Sequence, residues 1–221
     1  MTVKILTPLM FLMFISSFCF SQNYLEEVNG RPIRGSKQSD VVGDPHLFKN
    51  FKSATVLVKN GRSVKDIPVN VDLVTNTPLF SKSGEVVLAF VEPVAEMLVI
   101  DTLSSGLAKM RYTFDGDGKE TSCYLVLSEG KLSLMKKLWK VVWEDKTYNS
   151  ATVTKTILEK SAYYIKNTQS KSLDLFKPSK KSILAAMSSQ SAAIEKYLKD
   201  NKVSFSSDQD LQKLFDYYNA L

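Results

Sequence analysis

The sequence predicts an α+β protein in which an antiparallel β meander is followed by a short C-terminal helical cap. Between about residues 48 and 176, short runs rich in branched and aromatic residues alternate with turn formers. After residue 176 the apolar residues recur at helical spacing instead. Strands that come first and helices that follow form segregated layers. A sandwich, a roll and a partly closed barrel all remain open for the sheet.

The first element, residues 1–21, has the pattern of a secretory signal peptide. Lys4 gives a positive start, an apolar run follows, and the small Ser21 precedes Gln22 at the expected cleavage point. The apolar stretch of about 12 residues is shorter than the ~20 that a spanning helix needs. Lipid attachment at Cys19 and retention as an anchor are the alternatives, although the bulky Phe18 disfavours lipidation. We therefore expect an exported mature chain without a transmembrane span, periplasmic or associated with the outer membrane.

Residues 22–47 are polar, rich in turn formers and without a sustained period, which predicts a loosely ordered leader. The whole chain has a formal net charge of +6, spread along its length. Export removes access to nucleic acid, so we expect a solvated basic surface or contact with an anionic envelope surface. After processing only Cys123 remains, and its apolar surroundings predict a buried, inert thiol.

The β region, residues 48–176, is most clearly patterned at "NVDLVTNTPLFSKSGEVVLAF", residues 70–90, which reads as strand, turn, strand, turn, strand. The preceding apolar positions are mostly alternate, as on a half-buried strand: Val64, Ile67, Val69, Val71 and Leu73. Further strands are predicted at 54–60, 96–101, 107–114, 122–128, 131–143, 151–158, 161–167 and 172–176. The segment 131–143 also fits a helical face, but its valines and tryptophans and the "SEGK" turn before it favour a strand.

Residues 177–221 predict three short helices packed on the sheet as part of the same domain. Ala193, Ile194, Tyr197 and Leu198 share one helical face. Ser207 and Asp210 have the spacing of a capping box. Behind them the apolar residues recur at i, i+3, i+4 and i+7, at Leu211, Leu214, Phe215 and Tyr218.

Several segments together resemble a family of small exported Bacteroidota proteins of unknown function. They include "VNVDLVTNTPLF", "YLVLSEGKLSLMKK", "SKKSILAAM" and the closing "DLQKLFDYYNAL", and the resemblance runs from about residue 48 to residue 221. In that family an N-Y-D-L-like strand precedes a helical tail ending in Y-Y-N-x-L; this chain has Val71 in place of the aromatic residue. The resemblance implies export and this architecture, and it brings no catalytic residues.

The chain is poor in the residues that catalysis requires. His46 is the only histidine, which removes zinc and iron sites that need two or three of them. No nucleotide-binding glycine motif and no nucleophile elbow are present. The "DGDGKE" at 115–120 has Lys119 and Glu120 where a calcium loop needs an oxygen ligand and a glycine, so it predicts a hairpin turn. We expect no cofactor, no metal and no catalytic residue.

The remaining functional signal is aromatic. Trp139 and Trp143 are the only tryptophans, and a strand places both on one face, about 13 Å apart at ~3.3 Å per residue. Such pairs form platforms that bind sugars or lipids; the alternative is that the pair packs beneath the helices. The leading hypothesis is a non-enzymatic envelope protein that binds a partner protein or a glycan. The alternatives are a secreted hydrolase that uses His46 and a carrier of a small apolar ligand.

Overall fold

The computed structural model describes residues 29–33, 41–82, 86–103, 106–115, 121–145, 154–170 and 172–221. The predicted signal peptide and most of the "DGDGKE" turn lie outside the described residues. The strands are β1 (Gly30–Pro32), β2 (Val41–Val42), β3 (Lys52–Val58), β4 (Ser63–Asp72), β5 (Thr77–Lys82), β6 (Val86–Phe90), β7 (Val94–Leu103), β8 (Gly106–Asp115), β9 (Ser122–Ser128), β10 (Leu132–Asp145), β11 (Thr154–Asn167) and β12 (Leu173–Phe176). The helices are α1 (Lys180–Ala186), α2 (Ser191–Asn201) and α3 (Asp208–Ala220), with a 3₁₀ turn at Ser188–Gln190.

All twelve strands belong to one sheet, with the order β1-β6-β5-β4-β3-β7-β8-β9-β10-β11-β12 and β2 beside β11. Every pairing along that path is antiparallel. The predicted fold class is therefore confirmed, with a single sheet instead of a two-sheet sandwich. In the described part of the chain the two ends of the strand order do not pair, so the sheet is not closed.

The first half of the sheet curls around its own core. One apolar cluster draws buried side chains from every strand between β3 and β10, including Met97, Phe80 and Leu138. A flat sheet cannot bring β5 and β10 to a common cluster, because neighbouring strands are spaced by about 4.8 Å. The backbone carbonyl of Leu73, just past β4, also accepts a hydrogen bond of 2.8 Å from the Lys140 amide of β10. The curl thus brings the end of β4 against the middle of β10.

A β-bulge keeps β4 in phase with this core. Ala54 of β3 pairs with Ile67, and Val56 pairs with Val64. Between these two pairs β4 therefore has one residue more than β3. Asp66, in the left-handed region at φ 55°, takes up the extra residue. Val64 and Ile67, which are three positions apart, are both buried as a result.

Residues 41–48, here called the strap, bridge the two halves of the sheet. β2 pairs in parallel with β11 at one end of the strap. At the other end, the amide of Leu47 donates to the Val71 carbonyl at 2.8 Å, and Pro45 accepts from Leu73 at 2.9 Å. The periodicity of residues 22–47 predicts neither this pairing nor that of β1.

The buried side chain of Asn70 fastens the strap. Its Oδ1 accepts from the Phe48 amide at 3.0 Å, and its Nδ2 donates to the Phe48 carbonyl at 2.8 Å. Oδ1 also accepts from the Val71 amide at 2.8 Å. The Asn70 side chain thus bonds the backbone of Phe48 as the backbone of a neighbouring strand would. The asparagine of the "NVDL" segment therefore has a structural role.

The second half of the sheet is covered by the helices. A second apolar cluster joins Leu132, Leu134 and Phe176 of the sheet to the helices through the fully buried residues Ile183, Met187, Ile194, Leu211, Leu214 and Phe215. The amphipathic face predicted for α3 is confirmed, and the Ser207 hydroxyl accepts from the Asp210 amide at 3.2 Å as expected of its N-cap. α1 has a capping box of its own, between Ser179 and Ser182.

The end of α3 clips onto the β9–β10 hairpin through Asn219. Its Oδ1 accepts from the Leu132 amide at 3.1 Å, and its Nδ2 donates to the carbonyls of Leu132 and Glu129 at 3.0 and 3.2 Å. Gly130 in the turn has φ +155°, and a β-carbon there would lie 2.4 Å from the Asn219 side chain. Only glycine fits at this position. The "SEGK" turn and the closing "YYNAL" segment are therefore in direct contact, through Gly130 and Asn219.

Two charged contacts flank that clip. Asp208 accepts from Lys136 Nζ at 2.8 Å and from the Tyr163 hydroxyl at 2.5 Å, while Asp216 accepts from the Ser128 hydroxyl at 2.5 Å. Burial and the neighbouring Asp208 carboxylate raise the pKa of Tyr163, because both disfavour the phenolate.

The structure corrects the prediction made for the region of β11. Two strands, 151–158 and 161–167, are predicted there, but one strand runs from Thr154 to Asn167 and pairs with β10 over its whole length. The polar Glu159, Lys160 and Ser161 suggest a break, yet they are exposed in the middle of the strand. The strand prediction for 131–143 is confirmed by β10.

Candidate functional site

A cleft opens where β9 leaves the side of β10. The last pair between these strands joins Cys123 to Leu138, so β10 continues beyond β9. The turn between β4 and β5 lies against β10 there, through the Leu73–Lys140 hydrogen bond. The cleft has a volume of about 690 Å³. It is lined by residues 74–78, 90–94, 121–122, 137 and 139–141, and by Arg31 and Lys59.

Trp139 contributes a half-buried ring to the wall of this cleft. Lys137 Nζ lies over this ring, 5.7 Å from the ring centroid, which is within the range of a cation–π contact. Trp143, four residues further along the same face of β10, is 60% exposed and is not among the residues that line the cleft. The described apolar cluster beneath the helices contains neither tryptophan. A ligand-binding role for the pair stays a prediction, with Trp139 alone placed in a concave site.

Among the described residues, the ionisable side chains that line the cleft are four cations, Arg31, Lys59, Lys137 and Lys140, and one acid, Glu92. Glu92 already has partners, since Oε1 accepts from Arg62 at 2.9 Å and Oε2 accepts from Asn60 at 2.8 Å. Lys140 Nζ donates to the carbonyls of Asp44 and His46, at 2.9 and 2.7 Å, and the neighbouring Asp44 carboxylate offsets part of its charge. The described lining of the cleft therefore has an excess of positive charge.

One wall residue of the cleft, Asn76, has φ 52° and a buried Oδ1 without a hydrogen-bond partner within the described residues. An unsatisfied buried polar atom costs about 1–3 kcal/mol. Similar atoms lie outside the cleft lining, in Arg62, Ser81 and Thr113.

His46 belongs to the strap and is not a wall residue of the cleft. Its Nδ1 lies 2.7 Å from Asp44 Oδ1, which also accepts from the His46 amide at 2.9 Å. Partial burial alone would raise the pKa of Asp44, but these hydrogen bonds and the charges of His46 and Lys140 outweigh it and lower that pKa. Among the described residues the imidazole forms no hydrogen bond with a serine or cysteine, and its bond to Asp44 helps to shape the strap.

Cys123 is fully buried in the first apolar cluster, as expected. Burial raises the pKa of its thiol to about 12, so the nucleophilic thiolate is not formed at neutral pH. Within the described residues, histidine, cysteine and acidic side chains form no group of three or more that would hold a metal ion. The helices of the described part include none that is long and apolar enough to cross a membrane.

Sequence reasoning found Trp139 but not the site around it. The cations and Glu92 come from four separate parts of the chain, and only "KKLWK" puts lysines beside the tryptophan in the sequence. Arg31, Lys59 and Asn76 have no local signal, because the curl of the sheet brings them together.

Comparison of the chain with models of protein families, with curated proteins and with solved structures found no match. The resemblance to the exported Bacteroidota family stays a prediction.

Proposed function

We propose that this protein is an exported, non-enzymatic binding protein of the cell envelope, and that it holds a glycan in the cleft against Trp139. The observation that carries this proposal is the half-buried Trp139 ring in the wall of a polar cleft. Its volume of about 690 Å³ is within the range of about 300–1,000 Å³ typical of small-ligand sites. Flat aromatic rings bind the apolar faces of sugars, while the polar wall meets their hydroxyls.

Export rests on the sequence of residues 1–21. A glycan is favoured over a protein partner because the site is concave and small, whereas stable protein interfaces bury about 800 Å² on each partner. The inner side of the curled sheet is filled by its own apolar residues, which does not favour a carrier of an apolar ligand. The contacts of His46 do not favour a hydrolase.

The proposal is tested by probing the purified protein on an array of soluble neutral and acidic oligosaccharides. We expect Trp139→Ala to weaken binding by about tenfold, the size of ~1.4 kcal/mol. Trp143→Ala is the matched control, because Trp143 is equally aromatic and lies on the same strand outside the cleft. His46→Ala should also bind normally, since the backbone that meets Lys140 is retained.

Two outcomes would overturn the proposal. One is the absence of specific binding to every saccharide on the array. The other is equal binding by wild type and Trp139→Ala, which would remove the cleft from consideration.

A further inference from the structure

We infer that the ligand is an acidic glycan, whose carboxylate or phosphate group is recognised by Lys137 next to Trp139. This inference rests on the proposed function and names the chemical class of its ligand. In the described part of its lining, the cleft has four cations and one acid, and the acid is already paired with Arg62. A neutral sugar leaves that excess charge uncompensated, whereas an acidic sugar neutralises part of it.

Lys137 and Trp139 suit two parts of one acidic sugar. Lys137 Nζ lies over the indole, 5.7 Å from its centroid. A sugar that stacks on this face displaces the ammonium group from the ring, and an anionic substituent on the sugar gives that group a new partner. Charge-assisted hydrogen bonds of this kind are about twice as strong as neutral ones.

Lys140 supplies a second positive charge at the floor of β10. An ammonium group has three donors, and the carbonyls of Asp44 and His46 take two of them. Neither Asp44 nor His46 lines the cleft, so these bonds hold the ammonium group towards the strap, and Lys140 adds positive charge near the cleft without a direct contact to the ligand.

The test uses Trp143→Phe, in which Trp139 is the sole tryptophan and its fluorescence reports on the cleft. The probes are tetragalacturonate and its neutral methyl ester for the carboxylate, and glucose 1-phosphate and glucose for the phosphate. We expect at least one acidic probe to bind about tenfold more tightly than its neutral partner, the size of one charge-assisted hydrogen bond. That preference should shrink from about 0.01 M to about 1 M salt, as the Debye length falls from about 30 Å to about 3 Å.

Lys137→Met, which keeps much of the alkyl chain, should lower affinity for the acidic probe and leave the neutral one unchanged. Lys177→Met is the matched control, because Lys177 is exposed and does not line the cleft. Equal binding of acidic and neutral probes would overturn this inference and leave the proposed function standing. If no probe binds and the array is also silent, the proposed function itself fails.

Discussion

The two halves of this sheet cover their inner surface in different ways. Strands β3 to β9 curl until their own side chains meet in one cluster. Strands β10 to β12 do not complete such a curl, and three helices provide the missing apolar surface. In each half an asparagine side chain then binds the backbone of a segment distant in sequence, Asn70 to Phe48 and Asn219 to the β9–β10 turn. The comparison shows that one sheet can bury its apolar side chains in two ways: by its own curvature in one half and beneath a layer of helices in the other.

The largest expected effect comes from breaking the helical half. Leu214→Asp buries an unpaired charge at a fully buried position, so we expect a loss of at least about 3 kcal/mol in the free energy of unfolding. Urea unfolding measures the loss, with Lys213→Asp as the exposed neighbouring control. An unchanged unfolding curve would contradict the packing of α3 on the sheet.

Hydrogen exchange on the same variant sharpens the comparison. Faster exchange confined to α1–α3, β11 and β12 would mean that the two apolar clusters unfold separately. Equal acceleration in β3–β8 would mean that the two halves form one cooperative unit.

The two asparagines give a matched pair of intermediate effects. Asn70→Ala and Asn219→Ala each remove hydrogen bonds to backbone groups, and we expect losses of about 1–3 kcal/mol. Asn70 is 2% exposed and Asn219 is half-buried, so water can replace more of the contacts of Asn219. Thermal unfolding should therefore show the greater loss for Asn70→Ala.

Asn201→Ala is the control for this pair, because its side chain bonds only the Tyr197 carbonyl of its own helix. We expect it to change the free energy of unfolding by less than about 0.5 kcal/mol. A larger loss for Asn219→Ala than for Asn70→Ala would show that the helical clip holds the fold more firmly than the strap.

The smallest expected effect is a pH dependence at the seam between α3 and the sheet. The pKa of Tyr163 is raised above its ordinary value of 10.0, so its contribution to stability is complete below pH 10.0 and is lost as the pH rises further. Lys136 also contacts Asp208, and the comparison of wild type with Tyr163→Phe isolates the part that Tyr163 contributes. Tyr163→Phe should remove about 0.5–1.5 kcal/mol at neutral pH and flatten the alkaline loss. Urea unfolding between neutral and alkaline pH measures both, and an identical alkaline loss in the variant would contradict this role.

The elements governed by local periodicity were predictable from the sequence. The alternation in β4 and the i, i+3, i+4, i+7 pattern of α3 correspond directly to buried positions. The three-residue spacing between Val64 and Ile67 is the only sign of the bulge in the sequence of β4. It could not be recognised as a bulge without the register of the pairing with β3. At β11 the exposed Glu159 to Ser161 segment was misleading, because a strand near the sheet edge tolerates polar residues in mid-strand.

The candidate site was much less predictable than the fold. Trp139 was predicted as a binding residue from its residue type. That it lines the cleft while Trp143 does not depends on the point along β10 where pairing with β9 stops. The cleft depends on contacts between distant segments, such as Leu73 with Lys140. No local pattern encodes such a contact, since neither residue has unusual neighbours.

The strap has a consequence for the order of events in folding. It joins Val41 to Lys155, and Asp44 to Lys140 across 96 positions of sequence, so its contacts close some of the largest loops in the chain. Closing a long loop costs chain entropy before the contact can stabilise the fold. We therefore expect these contacts to form late in folding. Contacts formed after the transition state affect the unfolding rate more than the folding rate. We therefore expect substitutions that weaken the strap to raise the unfolding rate more than they lower the folding rate.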